Sequence, residues 1–189
     1  MERLDQILFE GEDMERATSR MAHEIHECEG KGEGLTLIGI QTRGAHLVQR
    51  IAKKITSFTG AVPPVGSIDV TPYRDDQKGI AKISPPPVQF PLSIDEKTLI
   101  LVDDVIYTGR TIRAALDLIS QLGKPKRILV AVLVDRGDRE VPIKADIVGK
   151  NVHVPALSRV NVFLSELDGV DQVTVSGGQS PGAHRVNKR

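Results

Sequence analysis

Only one cysteine, Cys28, stands in the 189-residue chain, so no disulfide can close within it. Net charge is lacking too. Lys plus Arg and Asp plus Glu number 25 each, which leaves no global field towards nucleic acid or membrane; such a partner would need a local patch. No unbroken apolar run reaches spanning length, and the start MERLDQILFEGEDMER has neither a basic leader nor the apolar stretch of a secretion signal. A cytoplasmic protein without membrane contact is therefore expected. Internal repeats are absent, and His and Cys do not fall at metal-ligand spacings. The lysine-bearing G-x-x-x-x-G-K-[ST] loop is missing, and no G-x-G-x-x-G follows a strand pattern, which removes the common nucleoside triphosphate and dinucleotide sites. What is present is 40% hydrophobic content, enough to bury one sizeable core in one domain.

Periodicity lays out that domain. From Glu12 to Cys28, apolar residues at Met14, Ala17, Met21, Ile25 and Cys28 mark one helical face. Ser19, Arg20 and His23 lie on the polar side, which composition alone reads as a solvated face. LTLIGI is a continuous apolar strand, followed by the loop QTRGA and a helix turning Leu47, Val48, Ile51, Ile55 and Phe58 inward. PPVGSIDV gives a further strand. Residues 71–97, with three consecutive prolines, carry no convincing period; so long a structureless stretch inside a compact domain reads as an active-site flap. TLILV leads into a helix with Ile112, Ala115, Leu116, Ile119 and Leu122 buried, stopped by Gly123 and Pro125. RILVAVLV is apolar on both faces, as strands of a parallel sheet covered on both sides are. The expected class is α/β, a doubly wound, mainly parallel sheet flanked by helices. Short strands ADIVG, RVNVFL and VTV suggest a small hood at about 136–175. One domain over 1–175 is expected, with a disordered polar tail at 176–189.

The chemistry concentrates in VDDVIYTGRT, residues 102–111. In open parallel sheets, ligands bind beyond the carboxyl ends of strands, where loops enter helix N-termini. Gly109 lets the backbone approach closely, successive N–H groups with the helix dipole hold a phosphate, and the Thr108 and Thr111 hydroxyls add donors. Asp103 and Asp104 would repel that phosphate but suit vicinal sugar hydroxyls, with Mg2+ offsetting their charge. A phosphorylated ribose satisfies both halves. A helix cap alone would need one such residue.

These residues resemble the phosphoribosyl pyrophosphate (PRPP) signature of type I phosphoribosyltransferases. The form with Tyr107 is similar to the PyrR family, uracil phosphoribosyltransferases that also regulate the pyrimidine biosynthetic operon. GIQTRG, SIDVTPYRDD and AVLVDRGDREVPIKADIVGKN extend the resemblance collinearly over roughly residues 3–175. It implies that Asp103 and Asp104 hold the ribose and that Tyr107, Thr108, Gly109, Arg110 and Thr111 hold the 5′-phosphate. Thr42, Arg43 and Gly44 would form the pyrophosphate loop, and Tyr73 and Arg74 would close from the flap. Asp135, Arg136, Val148 and Lys150 would surround the base, and Mg2+ would enter with PRPP near the carboxylates. The implied reaction joins uracil and PRPP to give UMP and pyrophosphate. The resemblance further implies that UMP or UTP promotes binding to leader mRNA and transcription termination, with Ser19, Arg20, His23, Arg139, Lys144 and Lys150 towards RNA, in a homodimer or higher homo-oligomer. Asp138 stands where the family pattern has histidine. The alternative is a uracil or purine-base salvage transferase without an RNA role.

Overall fold

The computed structural model describes residues 6–28, 34–71, 88–89 and 93–177. In chain order these form β1 (Gln6–Glu10), α1 (Gly11–Glu27), β2 (Leu35–Ile40), α2 (Arg43–Thr59), β3 (Val65–Ile68), β4 (Val88–Gln89), β5 (Thr98–Ile106), α3 (Arg110–Leu122), β6 (Arg127–Asp135), β7 (Ile147–Asn151), β8 (Arg159–Phe163), α4 (Ser165–Asp168) and β9 (Gln172–Ser176). The main sheet has the order β4-β3-β2-β5-β6-β7. Its five strands from β3 to β7 are parallel, and the two-residue β4 is antiparallel to β3.

The central strands are apolar on both faces because each face meets helices. Along β5, Ile100 and Val102 join the core beneath α1 and α2, with Met14, Met21, Ile25, Leu47 and Ile51. Leu99 and Leu101 turn the other way, onto Ile112, Leu118 and Ile119 of α3. The same alternation sends Leu35 and Leu37 of β2 to the first core and Ile38 and Ile40 to the second. Each such fully buried side chain contributes about 1.5–3 kcal/mol through removal from water. The expected doubly wound class is what forms.

Three expectations require correction. Ile147–Asn151, expected in the hood, is the edge strand of the main sheet, with Val132 beside Val148 and Val134 beside Lys150. The hood instead takes its third strand from the N-terminus. Its sheet has the order β1-β9-β8, and Phe9 of β1 is buried in the core. QILFE is too short, and too close to the stronger helical period, to declare itself as a strand. Phe58, expected inside, is 39% exposed. It has a better partner at the surface, stacking on His23 with ring centroids 4.2 Å apart and edge-on to His26 at 5.5 Å. Most of the flap, including Tyr73 and Arg74, and the tail from residue 178 lie outside the described residues. Among the described residues no helix is long and apolar enough to cross a membrane.

Candidate active site

β5 does not stop before the carboxylates. It stays paired with β6 through Asp103 beside Val132 and on to Ile106 beside Asp135, so the strand itself fixes where both carboxylates sit. Asp103 is buried, and its Oδ1 accepts the Asp104 backbone N–H at 3.0 Å. Asp104 Oδ1 accepts the Val105 N–H at 2.8 Å. Burial pushes the Asp104 carboxyl above its ordinary range, against the opposing pull of the Val105 N–H and the charge of Arg43.

The next turn is built for an anion. Gly109, at φ 88°, is the N-cap of α3 and has no side chain to offer the helix. Thr108 Oγ1 lies 3.4 Å from the Arg110 N–H. The helix N-terminus therefore keeps donors to give to a ligand. This turn is braced from behind by DRGDREVP. The Glu140 and Val141 N–H groups both donate to Thr108 O at 3.0 Å, and Arg110 Nε donates to Glu140 Oε2 at 2.8 Å. Arg139 holds four acceptors: Asp135 Oδ2 at 2.6 Å, Tyr107 O and Ile143 O at 2.9 Å each, and Gly137 O at 3.1 Å. Arg136 places its guanidinium 3.8 Å from the Tyr107 ring centroid and donates to Ser158 O at 2.6 Å.

Thr42, Arg43 and Gly44 reach the carboxylates because two glycines let the chain pass close. A Cβ on Gly44 would overlap Val102 O, and one on Gly39 would overlap the Gly44 carbonyl. The Gln41–Thr42 peptide bond is cis. Arg43 Nη2 donates to both Asp168 oxygens at 3.1 Å, which ties the loop to the hood. Two turns further along α2, Arg50 grips the same part of the hood through Glu166, Asp171 at 2.7 Å and Ser165 Oγ at 2.9 Å. Its hydrogen bond holds the Glu166 carboxyl down at about 2. Burial would raise Asp171, yet Arg50 and the Ser165 N–H hold it below its ordinary value.

The result is one cleft of about 350 Å³ lined by Ile40, Gln41, Thr42, Arg43, Val70, Thr71, Asp103, Asp104, Val105, Tyr107, Thr111, Arg136, Arg159 and Val160. Of the residues expected from sequence, Asp103, Asp104, Tyr107, Thr111, Thr42 and Arg43 line this cleft, while Thr108, Gly109, Arg110 and Gly44 are next to them along the chain and do not line it. The expected base pocket does not assemble as a unit. Arg136 lines the cleft, but Asp135 opens onto a second pocket of about 470 Å³ with Lys144, Asn151 and His153. Val148 and Lys150 line neither; in β7 they pair beside Val132 and Val134 of the main sheet. The Val148 and Gly149 carbonyls accept Arg20 Nη2 at 2.9 and 2.6 Å, and Lys150 Nζ lies 4.6 Å from the Phe9 ring centroid. Of the residues expected to face RNA, Ser19, Arg20 and His23 of α1 and Lys150 of β7 lie on two elements packed together. Arg139 is engaged in the brace. Sequence reasoning missed Gln41, Val70, Thr71, Arg159 and Val160 in the cleft, and Arg50 in the hood clamp.

Residues 6–161 match the phosphoribosyl transferase domain family. The bifunctional protein PyrR of Chloroflexus aurantiacus is 48% identical over 177 residues, covering 92% of this chain and 96% of that protein. The chain belongs to the PyrR family of phosphoribosyltransferases. The PyrR protein of Thermus thermophilus is 50% identical over 167 residues, 88% of this chain and 92% of that one. In fold, the chain superposes on the hypoxanthine phosphoribosyltransferase of Trypanosoma cruzi with a TM-score of 0.68 at 20% identity, covering 90% of this chain and 95% of that one.

Proposed function

We propose that this PyrR-family chain transfers the phosphoribosyl group of PRPP to N1 of uracil, releasing pyrophosphate and forming UMP. The same cleft, filled by UMP or UTP, controls binding to the leader mRNA of the pyrimidine biosynthetic operon and hence transcription termination. The observation that carries the reading is the convergence of Asp103 and Asp104 with Thr42, Arg43, Tyr107 and Thr111 on one cleft. A sugar bearing anions at both ends fits that order: hydroxyl acceptors in the middle, a phosphate turn on one side and an arginine loop on the other.

In the reaction the bond from C1 to the pyrophosphate oxygen breaks, N1 bonds to C1, and the N1 proton is released. Positive charge develops on the ribose ring, beside the Asp103 and Asp104 carboxylates. The departing pyrophosphate collects negative charge, which Arg43 is positioned to meet. Asp103 and Asp104 offer hard oxygen donors, the kind Mg2+ takes, and two carboxylates are too few to hold it alone, so they would hold the ion together with PRPP. When bound, that ion neutralises the leaving group.

The RNA reading is supported by the joined face of α1 and β7, carrying Ser19, Arg20, His23 and Lys150, with Lys144 on the preceding loop. Arg139 acts there by holding the loop that carries Asp138. Asp138 sits at φ 54° and approaches Arg136 at 3.4 Å. Assembly as a homodimer or higher homo-oligomer and a cytoplasmic location belong to the same reading.

A panel of bases assayed with PRPP and Mg2+ tests the first half, with turnover expected for uracil; turnover of hypoxanthine and not uracil overturns it. Titration of leader RNA with and without UMP tests the second, with tighter leader binding in UMP and a steep salt dependence expected. Equal affinity for leader and scrambled RNA at saturating UMP reduces the function to the transferase.

A further inference from the structure

The pocket of about 470 Å³ shares no lining residue with the cleft and lies between the loop that follows β6 and the end of β7. Asp135 on its wall is answered on both oxygens, Oδ2 by Arg139 at 2.6 Å and Oδ1 by the Gly137 N–H at 2.9 Å. It leaves the pocket open to an anion. Lys144 and His153 line it, are exposed, and make no hydrogen bond or ion pair with another described residue; nor does the Asn151 side chain. Pro142, Ile143 and Val152 supply apolar wall.

That combination selects a class of ligand. Lys144 offers positive charge to a phosphate, the Asn151 amide sets a donor beside an acceptor as the edge of a nucleobase requires, and the apolar wall suits the face of a base. A nucleotide carries all three. Lys150 immediately precedes Asn151 on β7, and Arg20 of α1 donates to the Val148 and Gly149 carbonyls. The pocket therefore begins one residue along β7 from the cationic face of the RNA reading, and single-stranded RNA can splay an unpaired base into such a recess.

The loop on the other side of the pocket is the brace of the phosphate turn. Its Glu140 and Val141 N–H groups donate to Thr108 O, and Arg139, which lines the pocket, donates to Tyr107 O and Ile143 O. A phosphate seated on the turn from the cleft side thus fixes the loop that walls the pocket. A site already held in shape costs its ligand less ordering.

We infer that this pocket takes one unpaired nucleotide of the bound RNA, its base against Pro142 and Val152 with its edge at Asn151 and its phosphate at Lys144 and His153, and that UMP in the cleft tightens RNA by setting the pocket wall. The inference rests on the RNA reading and deepens it.

The test pairs full-chain variants with leader RNAs from which one unpaired base at a time has been removed. With UMP present, Asn151→Ala should weaken intact leader about tenfold, the loss of one base-edge contact. One abasic position should weaken the wild type by the same factor and cost Asn151→Ala nothing further, the mark of a direct contact. His153→Ala should weaken intact leader about threefold. Both are surface truncations and should keep the wild-type unfolding midpoint and the turnover of uracil with PRPP. Without UMP the loss in Asn151→Ala should shrink to about threefold. Losses that multiply at every abasic position overturn the inference, as does an equal loss with and without UMP. Calorimetry with UMP alone addresses free nucleotides: one UMP per chain is expected, and a second that disappears in Asn151→Ala would make the pocket a mononucleotide site and overturn the RNA assignment. If the UMP-saturated wild type binds leader no better than scrambled RNA, the RNA reading itself fails and this inference with it.

Discussion

Replacing Arg139 by alanine separates a structural brace from a nucleic-acid contact. The guanidinium binds Asp135 at 2.6 Å and the carbonyls of Tyr107, Ile143 and Gly137 at 2.9–3.1 Å. The Arg139 and Asp135 side chains are only 20% and 14% exposed. Truncation leaves Asp135 with the Gly137 N–H, at 2.9 Å, as its remaining partner within the loop. Breaking a fully buried pair from one side costs about 3–5 kcal/mol, and a hydrogen bond to a charged group about 1.5–3 kcal/mol. Partial solvent access puts this site at about 2–3 kcal/mol. With a urea dependence of about 2 kcal/mol per molar, the unfolding midpoint should fall by about 1–1.5 M. Because Tyr107 O loses its tether, the phosphate turn should loosen and the KM for PRPP should rise without RNA being present. Asp135→Asn should be milder, and the double variant should lose less than the sum of the single losses. An unchanged midpoint together with an unchanged KM for PRPP would refute the brace and return Arg139 to the set of free RNA-facing cations.

The parts of the fold legible in sequence were those carried by a single strong period. Three apolar runs with helices between them, LTLIGI, TLILV and RILVAVLV, announced a parallel sheet, and each is a central strand. VDDVIYTGRT was legible as a strand running through carboxylates into a glycine turn and a helix, and β5, Gly109 and α3 form in that order with Asp103, Asp104, Tyr107 and Thr111 lining the cleft. The hood was harder, since its three strands come from opposite ends of the chain and none contains enough apolar residues to stand alone. β1 lies in front of a helix that dominates its window, and β7 looks like the hood strands although it pairs with β6. Charged residues were least legible of all. Arg136, Arg139 and Arg159 have one side-chain chemistry and three fates: stacked and buried, braced, or open to the cleft. Which fate each meets depends on carbonyls and carboxylates contributed by distant segments, and no local pattern encodes that.

Asp104→Asn should leave thermal stability within about 1 kcal/mol, because burial already disfavours its charge, yet steady-state turnover of PRPP with uracil should collapse; retained turnover would remove the ribose assignment. Gly44→Ala forces a methyl into Val102 O, and overpacking against backbone should cost about 1–3 kcal/mol and raise the KM for PRPP by displacing Arg43; a wild-type KM would show that the pyrophosphate loop tolerates the shift. The hood clamp should respond to acid. The folded Glu166 carboxyl sits at about 2 against an ordinary value of 4.5, so the fold favours its charged form. Its contribution is complete above pH 4.5 and is lost as the pH falls towards 2, with Asp171 shifted in the same direction and Arg50 charged throughout. The Glu166 side chain is 38% exposed, so solvent screening reduces its share to about 0.5–1 kcal/mol. Hydrogen exchange at the β8 and β9 amides should therefore accelerate across that window in the wild type and much less in Arg50→Met, which starts with the clamp already open. If both proteins show the same acid dependence, the charge pairs of Arg50 do not hold the hood, and the Arg43–Asp168 contact with the apolar packing of Phe9, Val162 and Val173 must hold it alone.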